Sequence, residues 1–333
     1  MQKQTGGGEK FNGYLMALGS AAVLSLTAII IRHLTLTYGV PALVLAFWRD
    51  VFSVATLLPV LAWFRPDLLR VSRREFRYLF FYGLLLSIFN AFWTISVAMN
   101  GAAVATVLVY CSTGFSALIG WRFLKEKFSV ARVFAVVFCM AGCVMVSGGT
   151  DASTWNTNML GIFTGAFSGL SYAIYGMVGS SIARRGINAW VAVLYSFAFA
   201  SVFLLLFNLV PGGLIPGSAV RPLDIFWLGR AFSGWGWLFL LAAGPTVLGF
   251  GLCNMSLSYL PFSIVNLIVT LEPVFTAIIA YFILDERFSN LQLCGSAAIM
   301  AGVLLLQRHD SGTKASSPVQ IDAQAAPAIS RSN

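Results

Sequence analysis

The chain has 333 residues, of which 58% are hydrophobic and only 10% are charged, and its mean hydropathy is +0.83. Soluble domains carry roughly 25% charged residues, so this composition excludes a soluble enzyme and indicates a polytopic membrane protein. The net charge of +9 does not point to nucleic acid, because the basic residues lie in short loops and form no basic surface of domain size.

Ten apolar segments approach the roughly 20 residues that a membrane-spanning helix needs. In chain order they are 13–31, 41–63, 77–99, 104–124, 130–147, 159–179, 188–210, 235–257, 263–284 and 290–306. The first segment follows Lys3 and Lys10, as a signal peptide would. Its small residues align with those of the sixth segment, which favours an uncleaved first helix. The prediction is an all-α polytopic membrane protein with ten transmembrane helices around a central cavity.

The basic residues predict the orientation of these spans. With a cytoplasmic N-terminus, sixteen Lys and Arg residues fall on the cytoplasmic side and four on the outside, while Arg49 lies inside a span. Cytoplasmic loops are enriched in basic residues. We therefore expect a multi-pass protein of the cell (inner) membrane with both termini in the cytoplasm.

Two stretches 160 residues apart are similar. Residues 115–129 read FSALIGWRFLKEKFS, and residues 275–289 read FTAIIAYFILDERFS. Ten spans then divide into two five-helix repeats, and an odd number of spans per repeat inverts the second copy. The predicted organisation is an N-terminus at 1–12, a first repeat at 13–147, a second, inverted repeat at 159–306 and a disordered cytoplasmic tail at 307–333. Segment 211–234 is an external connection without an assigned role.

Three ionisable residues lie inside predicted spans, where charge is costly and often functional. They are Arg49 and Asp50 in the second span and Glu272 in the ninth. Neighbouring residues point about 100° apart on a helix, so Arg49 and Asp50 cannot face one partner squarely. Arg49 either forms a structural lock with Glu272 or with backbone, or binds a substrate carboxylate. Glu272 and Asp50 are the candidates for ion coupling.

Polar and aromatic residues cluster at mid-span and could line a central cavity suited to an amphipathic metabolite. With Arg49, the candidate substrate-binding residues are Trp48, Asn90, Trp93, Tyr110, Tyr172, Tyr175, Tyr195, Asn254, Asn266 and Thr270. Taken alone, each of these residues is better explained by an interhelical hydrogen bond or by an anchor at the membrane interface than by a ligand contact. Pro245 and Pro273 interrupt the eighth and ninth spans, and such breaks either mark a binding region or form static kinks.

Signals for an enzyme, a metal or a cofactor are missing from the sequence. It contains no H-E-x-x-H, P-loop or G-x-S-x-G motif, and its five cysteines lack metal-type spacing. We therefore expect no catalytic residues, no metal site and no cofactor. Without an ATP site, transport would depend on an ion or substrate gradient.

The ordered set of features resembles the EamA family of the drug/metabolite transporter superfamily. The features are the ten spans in two repeats, Phe47-Trp48-Arg49, Leu271-Glu272-Pro273-Val274-Phe275, and the acidic residues Glu126 and Glu286 that end spans four and nine. Thr113 and Gly114 stand where the family usually has proline. The resemblance covers residues 11–307. It implies ten helices around a central cavity, alternating access, and frequent export of amino acids or other small metabolites.

The favoured function is a secondary active transporter, an exporter of a small metabolite such as an amino acid. The alternatives are an ion or water channel and a non-transporting membrane scaffold or receptor subunit. Expected partners are a small-molecule substrate and the lipid bilayer, with protons as the candidate coupling ion and no nucleic acid. The sequence determines neither the substrate nor the oligomeric state.

Overall fold

The structure is a computed structural model that describes residues 7–124, 130–146, 158–210, 213–256, 259, 265 and 268–315. Within these ranges the chain forms helices and loops without a β-strand. Six helical stretches are long and apolar enough to cross a membrane, and four shorter apolar helices coincide with the other predicted spans. The prediction of an all-helical membrane protein is therefore confirmed.

The first three helices are α1 (Gly7–Tyr38), α2 (Ala42–Phe64) and α3 (Arg73–Asn100). Ser72 fixes the start of α3. Its hydroxyl accepts a hydrogen bond from the Glu75 N–H at 3.2 Å, and the Glu75 carboxylate accepts one from the Ser72 N–H at 2.6 Å. This reciprocal capping satisfies two N–H groups that the helix leaves unpaired, so α3 begins before the predicted span.

The fourth predicted span consists of two helices. α4 (Ala102–Val109) follows Gly101, whose φ of 88° suits glycine, and α5 (Ser112–Leu124) begins after a turn at Tyr110 and Cys111. In the turn, the N–H groups of Tyr110 and Cys111 bond to carbonyls three residues back, at 3.1 Å each. This tightening of the last turn of α4 breaks the helix without a proline.

Four further helices come next: α6 (Val130–Val146), α7 (Met159–Arg184), α8 (Ala189–Asn208) and α9 (Phe232–Leu241). A π-helical turn, Ala242–Leu248, joins α9 to α10 (Gly249–Ser256) and contains Pro245. Proline has no N–H, so the Leu241 carbonyl lacks its usual donor. The Thr246 hydroxyl replaces that donor at 2.9 Å. The irregularity expected at Pro245 is thus a π-helical turn.

The last two helices are α11 (Glu272–Ile283) and α12 (Asn290–Ala315). Pro273 lies in the first turn of α11, and the chain turns at Thr270 and Leu271 just before it. With the 160-residue offset, this turn aligns with the one at Tyr110 and Cys111. α12 continues into the segment whose composition predicts a tail.

The helices of the first half of the chain pack mainly on helices of the second half. α1 packs on α10 and α11, and α7 packs on α3, α4 and α5. α2 packs on α8, and α6 packs on α12. In the α6–α12 pair, Gly142 and Gly295 lie so close that a Cβ on either would approach the other's carbonyl oxygen within 3 Å.

The bundle has two ends, which we name by an arginine at each. The Arg32 end holds the junctions α1–α2, α3–α4, α8–α9 and α11–α12, and the Arg65 end holds the junctions α2–α3 and α7–α8. A fully or nearly buried apolar cluster lies between the middle of the bundle and the Arg32 end. Its members include Ile31, Leu34, Val40, Leu45, Val97 and Ala102.

Candidate substrate cavity

A cavity of about 400 Å³ lies in the middle of the bundle. This volume is within the range of roughly 300–1,000 Å³ typical of small-ligand sites. The cavity is lined by side chains from α1 to α5, α7, α8, the π-helical turn and α10 to α12, and from the helix breaks at Tyr110 and Thr270. Eight of the predicted site residues are among them: Arg49, Asn90, Trp93, Tyr110, Tyr172, Tyr175, Thr270 and Glu272.

One wall of the cavity is aromatic. Trp93 and Phe89 stack with ring centroids 6.2 Å apart, Phe89 lies 5.0 Å from Tyr172, and Tyr172 lies 6.4 Å from Tyr175. On α3 the lining residues Leu86, Phe89, Asn90 and Trp93 follow the spacing of one helical face. Extending that spacing from Asn90 and Trp93 would have identified Phe89, which the prediction omitted.

Arg49 lines the cavity, but its charge is already paired. Its Nε and Nη2 atoms lie 3.3 Å and 3.2 Å from Asp50 Oδ1, and the Asn90 amide donates to Asp50 Oδ2 at 2.7 Å. The guanidinium also lies 5.5 Å from the centre of the Trp93 ring. Arg49 is 3% exposed and Asp50 is 0% exposed. The long Arg49 side chain bends back to reach Asp50. The angle of about 100° between adjacent residues on a helix had not suggested this pairing.

Glu272 faces the cavity from the start of α11. Its carboxylate lies 3.1 Å from the Tyr110 hydroxyl, and the same hydroxyl lies 3.1 Å from the Val269 carbonyl oxygen. Val269 precedes Pro273 by four residues, so proline deprives that carbonyl of its helical donor. Tyr110 therefore joins the two helix breaks. Among the described residues, no basic side chain lies within ion-pair distance of Glu272.

Other predicted site residues lie elsewhere. The Trp48 indole donates to the Ile225 carbonyl at 2.7 Å, and the Tyr195 hydroxyl donates to the Leu69 carbonyl at 2.7 Å. Neither residue lines the cavity. Asp50 lies behind Arg49 as its partner. Asn266 lies outside the described residues, and only the backbone of Asn254 is described, as part of α10.

Polar contacts link the two halves of the chain at the Arg32 end. The Glu286 carboxylate accepts hydrogen bonds from the N–H groups of Ala102 and Ala103 at 3.0 and 3.1 Å. Arg32 Nε lies 3.3 Å from Glu286 Oε1. Nearby, the Asn158 amide donates to the Asn100 side chain at 3.0 Å. Glu286 thus satisfies the first N–H groups of α4 and partly compensates Arg32.

The loop before α9 covers the same end of the bundle. The Trp227 indole donates to the Tyr38 carbonyl at 2.9 Å. The Asn208 side-chain amide donates to the Leu43 carbonyl, and its oxygen accepts a hydrogen bond from the Ala219 N–H in the loop at 3.0 Å. A short 3₁₀ helix, Pro222–Phe226, packs Ile225 into the apolar cluster. The loop therefore holds the ends of α1, α2 and α8 together.

Apolar helices around an aromatic and polar cavity define a multi-pass membrane protein with an internal site of ligand size. The chain belongs to the EamA-like transporter family, which matches residues 11–148 and, a second time, residues 159–308. The two matched ranges leave residues 149–158 between them.

Curated relatives carry transporter names. An uncharacterized transporter of Archaeoglobus fulgidus is 26% identical over 87% of this chain and 94% of its own. An S-adenosylmethionine uptake transporter of Rickettsia bellii is 24% identical over 78% of this chain and 82% of its own. One crystal structure, at 17% identity, has a TM-score of 0.57 and covers 89% of this chain and 97% of its own, which supports the fold alone.

Proposed function

We propose that the protein is a secondary active transporter of a small organic metabolite and works by alternating access. The observation that carries the proposal is a cavity of ligand size in the middle of the bundle. Buried apolar residues, and hydrogen bonds between the two halves of the chain, lie between this cavity and the Arg32 end. A transporter must expose such a site to one side at a time. Family membership and the names of the relatives agree with this function.

The proposal includes ten spans in two inverted five-helix repeats. Two features support this arrangement. The helix breaks at residues 110–111 and 270–271 are 160 positions apart, as the repeated stretches are. The helix contacts are also consistent with this division. α1 begins the first predicted repeat and packs on α10 and α11 of the second, and α7 begins the second and packs on α3, α4 and α5 of the first.

We further propose an inner-membrane location with both termini in the cytoplasm, which places the Arg32 end outside. The sixteen-to-four distribution of basic residues supports this orientation. A cytoplasm-specific fluorescent reporter and a periplasm-specific phosphatase, each fused after residue 333, test it. We expect activity from the first fusion alone, and the reverse pattern would contradict the orientation.

The direction we propose is export. The first substrates to test are an amino acid panel and S-adenosylmethionine, since one relative is named for uptake of the latter. Flux into proteoliposomes should saturate with substrate concentration. Non-saturating flux with large unitary currents would instead indicate a channel, and no flux for any compound would favour a scaffold. Loss of labelled substrate from over-expressing cells reports the direction.

Alternating access can be tested by fixing the Arg32 end closed. Asn100→Cys and Asn158→Cys are introduced together into a variant in which the five native cysteines are serine, because these asparagine side chains touch at 3.0 Å. Oxidation should stop flux, and a reductant should restore it. The two single-cysteine variants are the controls. Full flux through the cross-linked protein would show that this end does not open during transport.

A further inference from the structure

The charges around the cavity do not balance. Among the described residues that line it, the charged side chains are Arg49 and Glu272. Asp50 pairs with Arg49 within 3.3 Å behind the cavity wall and accepts a hydrogen bond from Asn90. The arginine therefore offers little uncompensated positive charge to a ligand. An anionic substrate would have to displace Asp50 into an apolar interior, which is costly.

Glu272 is in a different position. Its described partner is the Tyr110 hydroxyl at 3.1 Å, which is a neutral donor. It is the first residue of α11, where the helix dipole favours negative charge, yet no described cation approaches it within 4 Å. Because Asp50 already neutralises Arg49, the ionised Glu272 carboxylate leaves the cavity with one uncompensated negative charge.

The aromatic wall provides a second feature that suits a cation. The rings of Trp93, Phe89, Tyr172 and Tyr175 follow one another along one side of the cavity. Tyr172 has 40% of its surface accessible and lines the same cavity as Glu272. Ring faces attract cations, and aromatic groups with a nearby carboxylate are a recurring way to bind ammonium groups.

We propose that the substrate is an organic cation, an amine or an onium compound with a compact apolar body. Its charged group lies between the Glu272 carboxylate and the ring face of Tyr172, and its apolar part contacts Leu86 and Phe89. This inference rests on the proposed transport function and specifies its substrate class. It also assigns Arg49 to the structure of the cavity rather than to the binding of a substrate carboxylate.

The test uses probes that differ in charge but hardly in shape. Choline, its neutral carbon isostere 3,3-dimethyl-1-butanol and the anion 3,3-dimethylbutyrate are titrated into the purified full-length protein in lipid nanodiscs by calorimetry. We expect choline to bind at least about tenfold more tightly than either of the others. Equal or tighter binding of the anion or the neutral isostere would overturn the proposal.

Variants locate the binding. Glu272→Gln should weaken choline binding by about tenfold or more, whereas Asp67→Asn, which removes a carboxylate that is 64% exposed at the Arg65 end, should leave it unchanged. Tyr172→Leu removes the aromatic ring and should weaken choline binding roughly fivefold. Unchanged binding in both Glu272→Gln and Tyr172→Leu would contradict the site. The wild-type probe series decides the charge preference even where a variant fails to fold.

Flux separates this proposal from the one on which it rests. If the anion shows saturable flux and choline shows none, the transporter proposal stands and the cation proposal fails. If choline binds with the expected variant pattern but neither choline nor a larger onium compound shows flux, the cation site stands and the transport function fails.

Discussion

At the residue scale, three charged side chains inside the bundle have different partners, since Arg49 pairs with Asp50 and Glu272 contacts the Tyr110 hydroxyl. The apolar context of Arg49, Asp50 and Glu272 was sufficient to predict that all three lie inside the protein. It did not show that Arg49 pairs with Asp50, because the choice depends on how a long side chain folds within a packed bundle. Because of this pairing, the charge of Arg49 is compensated, whereas among the described residues no cation pairs with Glu272.

Removal of the arginine alone should destabilise the protein. Arg49→Met leaves the Asp50 carboxylate buried, with the Asn90 amide as its remaining hydrogen-bond donor among the described residues. Breaking a buried pair in this way costs about 3–5 kcal/mol. Arg49→Met combined with Asp50→Asn should recover most of that loss, since the new amide is neutral and can still accept from Asn90. Thermal unfolding in nanodiscs measures both. Equal stability of the single and double variants would show that the pair is unimportant.

Binding of a cation at Glu272 should depend on pH. The carboxylate binds the cation and the carboxylic acid does not, so choline affinity should fall as the pH is lowered through the titration of Glu272. Glu272→Gln should remove this dependence. Among the described residues that line the cavity, the other charged or titratable groups are Arg49, Tyr110, Tyr172, Tyr175 and Cys253, and Asp50 lies behind Arg49. A pH profile that persists in Glu272→Gln would assign the titration to one of them.

At the element scale, the six helical stretches that are long and apolar enough to cross a membrane coincide with predicted segments, because hydrophobic length is read directly from the sequence. The helix breaks were harder to predict. Pro245 and Pro273 mark two of them, but the break at Tyr110 and Cys111 has no proline and arises from a tightened last turn of α4. Its position is visible in the sequence only through alignment with the second half of the chain.

The α6–α12 contact requires glycine at residue 142. Gly142→Ala places a methyl group within 3 Å of the Gly295 carbonyl oxygen and of Ile299. Overpacking of this kind costs about 1–3 kcal/mol. Gly176→Ala is the matched control, because its added methyl group meets no atom within 4 Å, and it should be neutral or stabilising by up to about 1 kcal/mol. Thermal unfolding compares the two, and an equally stable Gly142→Ala would contradict the close approach.

At the scale of the whole molecule, the repeated stretch predicted that the segment ending in Glu286 belongs to one end of the bundle. Contacts with Arg32 and with the start of α4 could not be read from the sequence, because they join residues more than 180 positions apart. The counterpart Glu126 lies outside the described residues. Likewise, composition identified 211–234 as a loop. Its contacts with the ends of α1, α2 and α8 could not be predicted, because they form only when these helices are packed together.

Glu286 should keep the Arg32 end closed. In Glu286→Gln, the N–H groups of Ala102 and Ala103 lose a charged acceptor, and hydrogen exchange of a peptide spanning 99–106 should accelerate by roughly tenfold. Asp285→Asn is the control, since Asp285 is 82% exposed and its φ of 52° is tolerated by asparagine. Equal exchange in the two variants would show that Glu286 does not hold this end.

The Tyr110 hydroxyl has one hydrogen and two acceptors, the Val269 carbonyl and the Glu272 carboxylate, each at 3.1 Å. When Glu272 is ionised, the carboxylate competes for that hydrogen and the Val269 carbonyl is weakly paired. When Glu272 is protonated, the acid donates to the phenol oxygen, and the phenol donates fully to Val269. The protonation state of Glu272 would thus determine how strongly Tyr110 bonds to the Val269 carbonyl at the helix break. If Glu272 binds a proton or a cation as proposed, we expect its arrival to change how firmly Tyr110 joins the two halves of the chain.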